Sequence, residues 1–562
     1  MTGRFRITFA RTCGALTLAA CAPQRPATAP VPVQAPPVTV TAPAPVAQAP
    51  VIPAPATATR TSYRTAPADW HLLDPATDGV AGVGAKRAIT ELLHGAAPRR
   101  LITVAVIDGG VDTAHTSLRS TLVLNAKETP ANGRDDDGNG YADDARGWNF
   151  IGGAAGNIDD GTLEVTRLVA ACRANGGKSL VATPCEALER EYVTGRDEAA
   201  SQWAGLRPVL IEYDGLLDVL AKDAGVPRTA LTDAMIATFS PKSPAARDAL
   251  MKVTMYGGNG LTVGASRAVR KQMEGRVNFG YNLAVDVRTV IGETRAMGRR
   301  YGNANVTGPD ASHGTAVASV IAAVSGDSGF VGVAPGVRIL PVRVVPNGDE
   351  YDQDVANGIR YAVDAGAQIL NMSFGKPYSP GKAAVDSAVQ YAVSKGVLLV
   401  HASGNESVDV DRTPTFPSAT YAGGNRRAAT WIDVGASSWR AGETLAAEFT
   451  NYGSLQVDLF APGVSVFAAA PGNGFAREDG TSVAAPVVSG VAALLMSQFP
   501  TLTAADVKRI LMATVTRYPD QRVRLPGKQG TMVSFTSLST SGGIVNAYEA
   551  VKMAQRETGK AQ

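Results

Sequence analysis

Two kinds of apolar run punctuate the central part of the chain. Short, nearly unbroken runs, LITVAVI before Asp108 and GVLLV before His401, lack the alternation of a half-exposed strand. Such continuity is what a strand covered on both faces shows, so both predict strands of the buried, parallel kind. Longer runs, HGTAVASVIAAV from His313 and TSVAAPVVSGVAALLMSQF from Thr481, predict helices. After Ile151 the pattern changes for about 150 residues. Segments such as CEALEREYV and LLDVLAKDAG mix charged and apolar positions at helical spacing, which predicts a mostly helical stretch over about 151–300.

The amino-terminal region reads differently. Arg4, Arg6 and Arg11 precede a short apolar segment that ends in Leu18, Ala19, Ala20 and Cys21. This is the pattern of a bacterial lipoprotein signal, whose cleavage before Cys21 makes that cysteine the lipidated first residue. The competing reading is an ordinary secretory signal cut after Ala22, because Ala20, Cys21 and Ala22 also form a small-x-small site. With lipid on Cys21, Ala22 beside it points to outer-membrane sorting. Residues 22–67 hold twelve prolines and neither Asp nor Glu, so they cannot build a core and predict a polyproline-like tether.

Composition narrows the class. The chain has 562 residues, 59 of them Gly, with 18% charged residues, which suits an α/β enzyme with many tight turns. A net charge of +3 is too small to imply a nucleic-acid partner. Beyond the amino terminus, no uninterrupted apolar run approaches the roughly 18–20 residues of a membrane span.

The candidate chemistry lies where the apolar runs begin and end. Asp108 closes LITVAVI within VAVIDGG, His313 opens a helix within DASHGTAVA, and Ser482 stands within DGTSVAAP at the start of another. A serine hydroxyl attacks a carbonyl only if a base takes its proton, and an imidazole does so best when a carboxylate fixes its tautomer. The assignments are therefore Ser482 as nucleophile, His313 as general base and Asp108 as orienter. Asn405, in the turn after GVLLVHASGNE, is the candidate donor to the oxyanion of the tetrahedral intermediate. Asn also favours ordinary turns, so that role rests on its company.

In these phrases Asp108, His313, Asn405 and Ser482 resemble the functional positions of subtilisin-like serine peptidases. The resemblance extends through ILNMSFG, GVAPGVRILPVRVV, FTNYGSLQVDLFAPGVSVFAAAPG and GGIVNAYEAV, and Trp70–Leu93 resembles the lead-in of large bacterial members. It implies an α/β fold with a parallel central sheet flanked by helices, and an endopeptidase acting on proteins or peptides through an acyl-enzyme. The chain departs from the family pattern at Ala316, where a second His is usual, at Ser319, where Gly is usual, and at His115 to Leu118. His401 is unfamiliar beside the oxyanion turn and is a candidate lining residue of the primary specificity pocket. The domain organisation that follows is a signal at 1–20, lipidated Cys21 and tether to 67, a peptidase domain over 68–556 carrying the helical insertion, and a tail at 557–562.

Two further features concern stability. In NGRDDDGNGYADDARGWNF, Asp135, Asp137, Asn139 and Asp143 supply oxygens at alternating positions and Gly140 permits a sharp turn, as in calcium loops. Arg146 stands where an EF-hand has its bidentate Glu, and a solvated acidic turn without metal is the other reading. No cofactor is expected for catalysis itself. Cys172 and Cys185 are left as a disulfide pair for an oxidising compartment, against two free buried thiols. The leading function is a lipid-anchored serine endopeptidase of the bacterial cell envelope, membrane-bound through its lipid and facing the periplasm or the surface. The alternative is a catalytically silent binding lipoprotein of the same fold.

Overall fold

The run LITVAVI forms β1 (Thr103–Asp108), and its alternate residues divide between two cores. Val104 and Val106 join one hydrophobic cluster and Ala105 and Ile107 another, as the period of a doubly covered strand requires. The structure, a computed structural model, describes residues 63, 65–290, 300–325, 329–424 and 426–559. The signal, Cys21, most of the tether and the last three residues of the tail lie outside the described residues.

Eight further strands complete the main sheet: β2 (Trp148–Asn149), β3 (Arg338–Arg343), β4 (Ile369–Met372), β5 (Leu398–Ala402), β6 (Trp431–Ser437), β7 (Leu459–Pro462), β8 (Thr516–Arg517) and β9 (Gly543–Ile544). Their order is β8-β9-β7-β6-β5-β4-β1-β3-β2. Every pairing is parallel except that of β8 with β9. β1 pairs with β3 on one side and β4 on the other, so strand order reverses there and a crevice opens beyond the carboxyl end of β1.

The principal helices, in chain order, are α1 (Glu164–Ala174), α2 (Cys185–Ala224), α3 (Pro244–Gly258), α4 (Val263–Gly275), α5 (Ser312–Ala322), α6 (Asp352–Asp364), α7 (Lys382–Ser394), α8 (Thr481–Gln498), α9 (Ala504–Ala513) and α10 (Ala547–Glu557). Helices α5, α8, α9 and α10 pack on the sheet face that carries Val104 and Val106. Helices α6 and α7 cover the opposite face. Helix α8 is long and apolar enough to cross a membrane, yet 94% of that span is buried inside the protein. All its residues except Ser482 are buried. An all-round apolar helix is what the centre of a large core requires.

Helices α1 to α4 form the insertion; α2, α3 and α4 share a core around Leu210, Tyr213, Leu217 and Val253, while α1 packs on the start of α2 through Leu168, Val169, Leu188 and Tyr192. Ser243 caps α3 by accepting the Ala246 N–H at 3.2 Å, with Pro244 at the first helical position, where its missing N–H costs nothing. Cys172 and Cys185 are joined by a disulfide that links the last turn of α1 to the first residue of α2.

Candidate active site

The crevice beyond β1 collects the four expected residues. Asp108, the last residue of β1, is 2% exposed. Its Oδ1 accepts the N–H of Gly109 at 2.7 Å and faces His313 Nδ1 at 2.8 Å, with Oδ2 at 3.0 Å from the same nitrogen. The carboxylate thus holds Nδ1–H and leaves Nε2 as the base. The glycine after His313 has a steric cause: a Cβ at Gly314 would lie 2.2 Å from the Gly110 carbonyl oxygen. Only a residue without a side chain lets α5 approach β1 closely enough for the bond.

Burial acts to lower the His313 pKa, but the charge and hydrogen bond of Asp108 outweigh it. Glu478 and Asp310 add to that attraction, and the net displacement is upward. The protonated form of His313 is therefore stabilised.

Ser482 sits in the first turn of α8, on the same cleft as His313 and Asn405, in a cavity of about 640 Å³. Asn405 Oδ1 accepts both the backbone N–H and the Oγ1–H of Thr481, each at 2.9 Å. These two bonds fix which end of the amide faces the reacting centre. A Cβ placed on Gly480 would be 2.8 Å from Ser482 Oγ and 3.6 Å from Asn405 Nδ2, so the glycine keeps the space beside both open.

Pro486 lies in α8 and has no N–H to give to the carbonyl of Ser482, four residues before it. Ser373, just beyond β4, supplies the missing donor: its Oγ–H bonds to the Ser482 carbonyl at 2.8 Å and its oxygen accepts Asn371 Nδ2 at 2.9 Å. The backbone of Ser482 is thereby tied to the end of β4. Arg343, paired in register with Asp108, is 1% exposed. Its guanidinium donates to the carbonyl of Gly109 at 2.6 Å, to Asn149 Oδ1 at 3.2 Å and to the carbonyl of Ile158. Burial pulls its pKa down to about 10, against the opposing charges of Asp159 and Asp310. Ser373 and Arg343 were missed in the sequence; a lone arginine in the apolar run RILPVRVV was the available signal for the second.

The histidines outside the triad have structural surroundings. His115 is buried, faces the Gly474 carbonyl at 3.2 Å through Nε2 and accepts the Ser117 N–H through Nδ1. His401 lines the cleft but is 1% exposed, with Nδ1 2.7 Å from Asp433 and Nε2 2.9 Å from the Phe374 carbonyl. Ser319, in place of the family's glycine, is fully buried and accepts the Ala469 N–H at 2.9 Å.

The acidic loop does not gather the four oxygens expected of it. Asp135 spends its carboxylate on the N–H groups of Asn139 and Gly140, at 3.1 and 2.7 Å. Asp143 spends its own on those of Asn132 and Gly133, at 2.8 and 2.9 Å, and Asn139 donates to Asp144. Of the expected set, Asp137 alone belongs to a ligand-like group, whose other members are Glu128 and Asp144. One carboxylate oxygen from each lies within 4.8 Å of the others. Short Asx-type turns consume the carboxylates at alternating positions, and the group is completed from outside the spacing.

With this geometry in hand, comparison with known proteins is decisive. The sequence model of the subtilase family matches residues 99–531. The chain belongs to the subtilase family. It is 33% identical over 236 residues to subtilisin DY of Bacillus licheniformis, covering 42% of this chain and 80% of that protein. It is 38% identical over 205 residues to alkaline elastase YaB of Bacillus sp. (strain YaB), covering 36% of this chain and 50% of the relative. To subtilisin E of Bacillus subtilis (strain 168) it is 36% identical over 206 residues, covering 36% and 51%. The chain thus spans four fifths of the first and about half the length of the other two. A solved structure of a cold adapted subtilisin-like serine proteinase is similar at 28% identity and a TM-score of 0.34, covering 43% of this chain and 77% of that one. Membership in the family makes the protein a subtilisin-like serine endopeptidase.

Proposed function

We propose that this subtilase hydrolyses peptide bonds through an acyl-enzyme on Ser482 while tethered to the cell envelope by lipid on Cys21. The observation that carries the catalytic part is the bond from Asp108 to His313 Nδ1, which leaves Nε2 directed to the cleft that holds Ser482. Ser482 Oγ attacks the substrate carbonyl as His313 Nε2 takes its proton. The oxyanion is received by Asn405 Nδ2 and by backbone N–H groups at the amino end of α8, whose dipole favours negative charge there. His313 then passes the proton to the leaving amine. In the second half-reaction it activates water to release the acyl group and restore Ser482.

The envelope part rests on Arg4, Arg6 and Arg11, the short apolar segment and the Leu18 to Cys21 sequence. Cys21 carrying two or more acyl chains gives stable anchoring, and Ala22 favours the outer membrane. Calcium, where bound, has a structural role. Glu128, Asp137 and Asp144 offer the hard oxygens it prefers, and burial holds the Asp144 carboxyl above its ordinary pKa despite hydrogen bonds from Tyr361, Asn139 and Asn125. A cation there would relieve that cost.

Fluorophosphonate labelling tests the catalytic reading: the wild type labels, and Ser482→Ala and His313→Ala do not. A folded wild type that neither labels nor hydrolyses casein overturns it. Cys21→Ser should abolish palmitate incorporation and release the protein from membranes; unchanged membrane retention refutes the lipid anchor.

A further inference from the structure

Two loops wall the catalytic cleft on either side of the crevice, residues 346–350 after β3 and 373–377 after β4. The insertion is built into both. Lys376, 3% exposed, places Nζ 2.7 Å from Glu164 of α1, 2.9 Å from Asp352 and 2.7 Å from the Glu350 carbonyl. Arg167 of α1 pairs with Glu164 at 2.5 Å and donates to the carbonyls of Asp349 and Glu350 at 3.0 Å each. Asp349 accepts the N–H of Glu164 at 2.7 Å.

The charges in this knot do not balance. Four carboxylates, of Glu164, Asp349, Glu350 and Asp352, face two cations, Arg167 and Lys376. Glu164, Asp349 and Asp352 each have donors on the carboxylate. Glu350 is 2% exposed, lines the cleft, and its Oε1 is buried with no hydrogen-bond partner among the described residues. Lys376 reaches its backbone carbonyl instead. Burial, the largest influence, pushes the Glu350 carboxyl up to about 7 even though Lys376 opposes it. The other cleft carboxylates nearby, Asp159 and Asp310, are already bridged by Lys271 at 3.0 and 2.8 Å.

A carboxylate on a cavity wall with one oxygen lacking a donor, in a surplus of negative charge, is completed by an incoming cation. We propose that Glu350 is a specificity-determining residue that receives a basic side chain, Lys or Arg, of the peptide substrate. The inference rests on the endopeptidase reading and deepens it: α1 of the insertion holds the two cleft walls so that this acid faces the substrate. Arginine, with its planar fork of donors, suits the carboxylate better than lysine does.

Peptides identical except for arginine or its neutral isostere citrulline, placed in turn at each position around the cleavage point, test the assignment. They are compared by kcat/KM on the wild type and by Kd on Ser482→Ala, which keeps the cleft without turnover. At one position arginine should be preferred by about tenfold or more in both measurements, the scale of a buried charge pair. Glu350→Gln, which keeps the shape and removes the charge, should bring the ratio close to one. A smaller ratio at every position, or a ratio that Glu350→Gln leaves unchanged, overturns the proposal. Should Glu350→Gln not fold, Glu350→Asp replaces it, and an arginine preference equal to the wild type's there has the same overturning force. Because Kd requires no chemistry, absence of hydrolysis would count against the peptidase reading while the binding ratio still decides the subsite.

Discussion

The tie between Ser373 and the carbonyl of Ser482 exists because Pro486 cannot make it, and that dependence is measurable. Ser373→Ala removes the donor to the Ser482 carbonyl and the acceptor for Asn371 Nδ2. A buried group left without its partner costs about 1–3 kcal/mol, so two such groups imply about 2–6 kcal/mol. Pro486→Ala returns an N–H four residues after Ser482, where a regular helix bonds to that carbonyl. In that background Ser373→Ala orphans only Asn371, and its cost should fall by about 1–3 kcal/mol. The four proteins of this cycle are compared by urea unfolding, all carrying Ser482→Ala to prevent self-digestion, since the carbonyl in question belongs to the backbone and survives that change. Coupling below about 0.5 kcal/mol, the level expected of independent sites, would refute the claim that the serine replaces the proline's missing donor.

Other consequences are more direct. His313 must be neutral to act as base, and Asp108 holds its pKa above 6.5; kcat/KM should therefore fall as pH drops through a midpoint above 6.5, and a midpoint at or below that value contradicts the electrostatic account. Buried His71 has both ring nitrogens without hydrogen-bond partners among the described residues, and burial lowers its pKa to about 4. Between pH 6.5 and 4 the unfolded chain alone takes up this proton, so stability declines on acidification by about 3 kcal/mol from this residue; unfolding free energies at pH 7 and pH 4 should show that loss in Ser482→Ala and not after a further His71→Phe change. Replacing Cys172 and Cys185 by Ser should lower stability by about 3 kcal/mol on the chain-entropy estimate, seen in the melting curve, with fluorophosphonate labelling retained. A chelator should lower the melting temperature of the wild type and leave that of Glu128→Gln with Asp144→Asn unmoved; equal chelator sensitivity in both would put the metal elsewhere.

The residues that gather in the cleft were legible because each needs glycine or an apolar run beside it for reasons local to the chain. His313 reaches Asp108 only if Gly314 lets α5 close on Gly110, and Ser482 emerges from a helix whose every other residue is buried, so both left compact phrases in the sequence. The disulfide was legible by elimination of the two cysteines in the amino-terminal region. The acidic loop was legible only in part, because spacing reports which oxygens are close in sequence and not which backbone N–H groups they meet. Asp135 and Asp143 accept backbone N–H groups of the turn, and Glu128, outside the spacing, accepts those of Asp136, Asp137 and Asp143. The cleft walls were illegible for a different reason. Glu164 and Lys376 are 212 residues apart and Asp108 and Arg343 are brought together only by strand register; nothing in either's own neighbourhood announces the partner. The insertion looked, from its helical periodicity and private core, like a unit added to the side of the enzyme. Its first helix is instead wired by buried charges into both walls that a substrate must pass between. A segment with its own core can accept or lose surface changes without unfolding the catalytic domain, whereas changes at Glu164 or Arg167 reach the cleft directly. On the proposed role of Glu350, changes in the insertion adjust substrate preference while Asp108, His313 and Ser482 stay as they are.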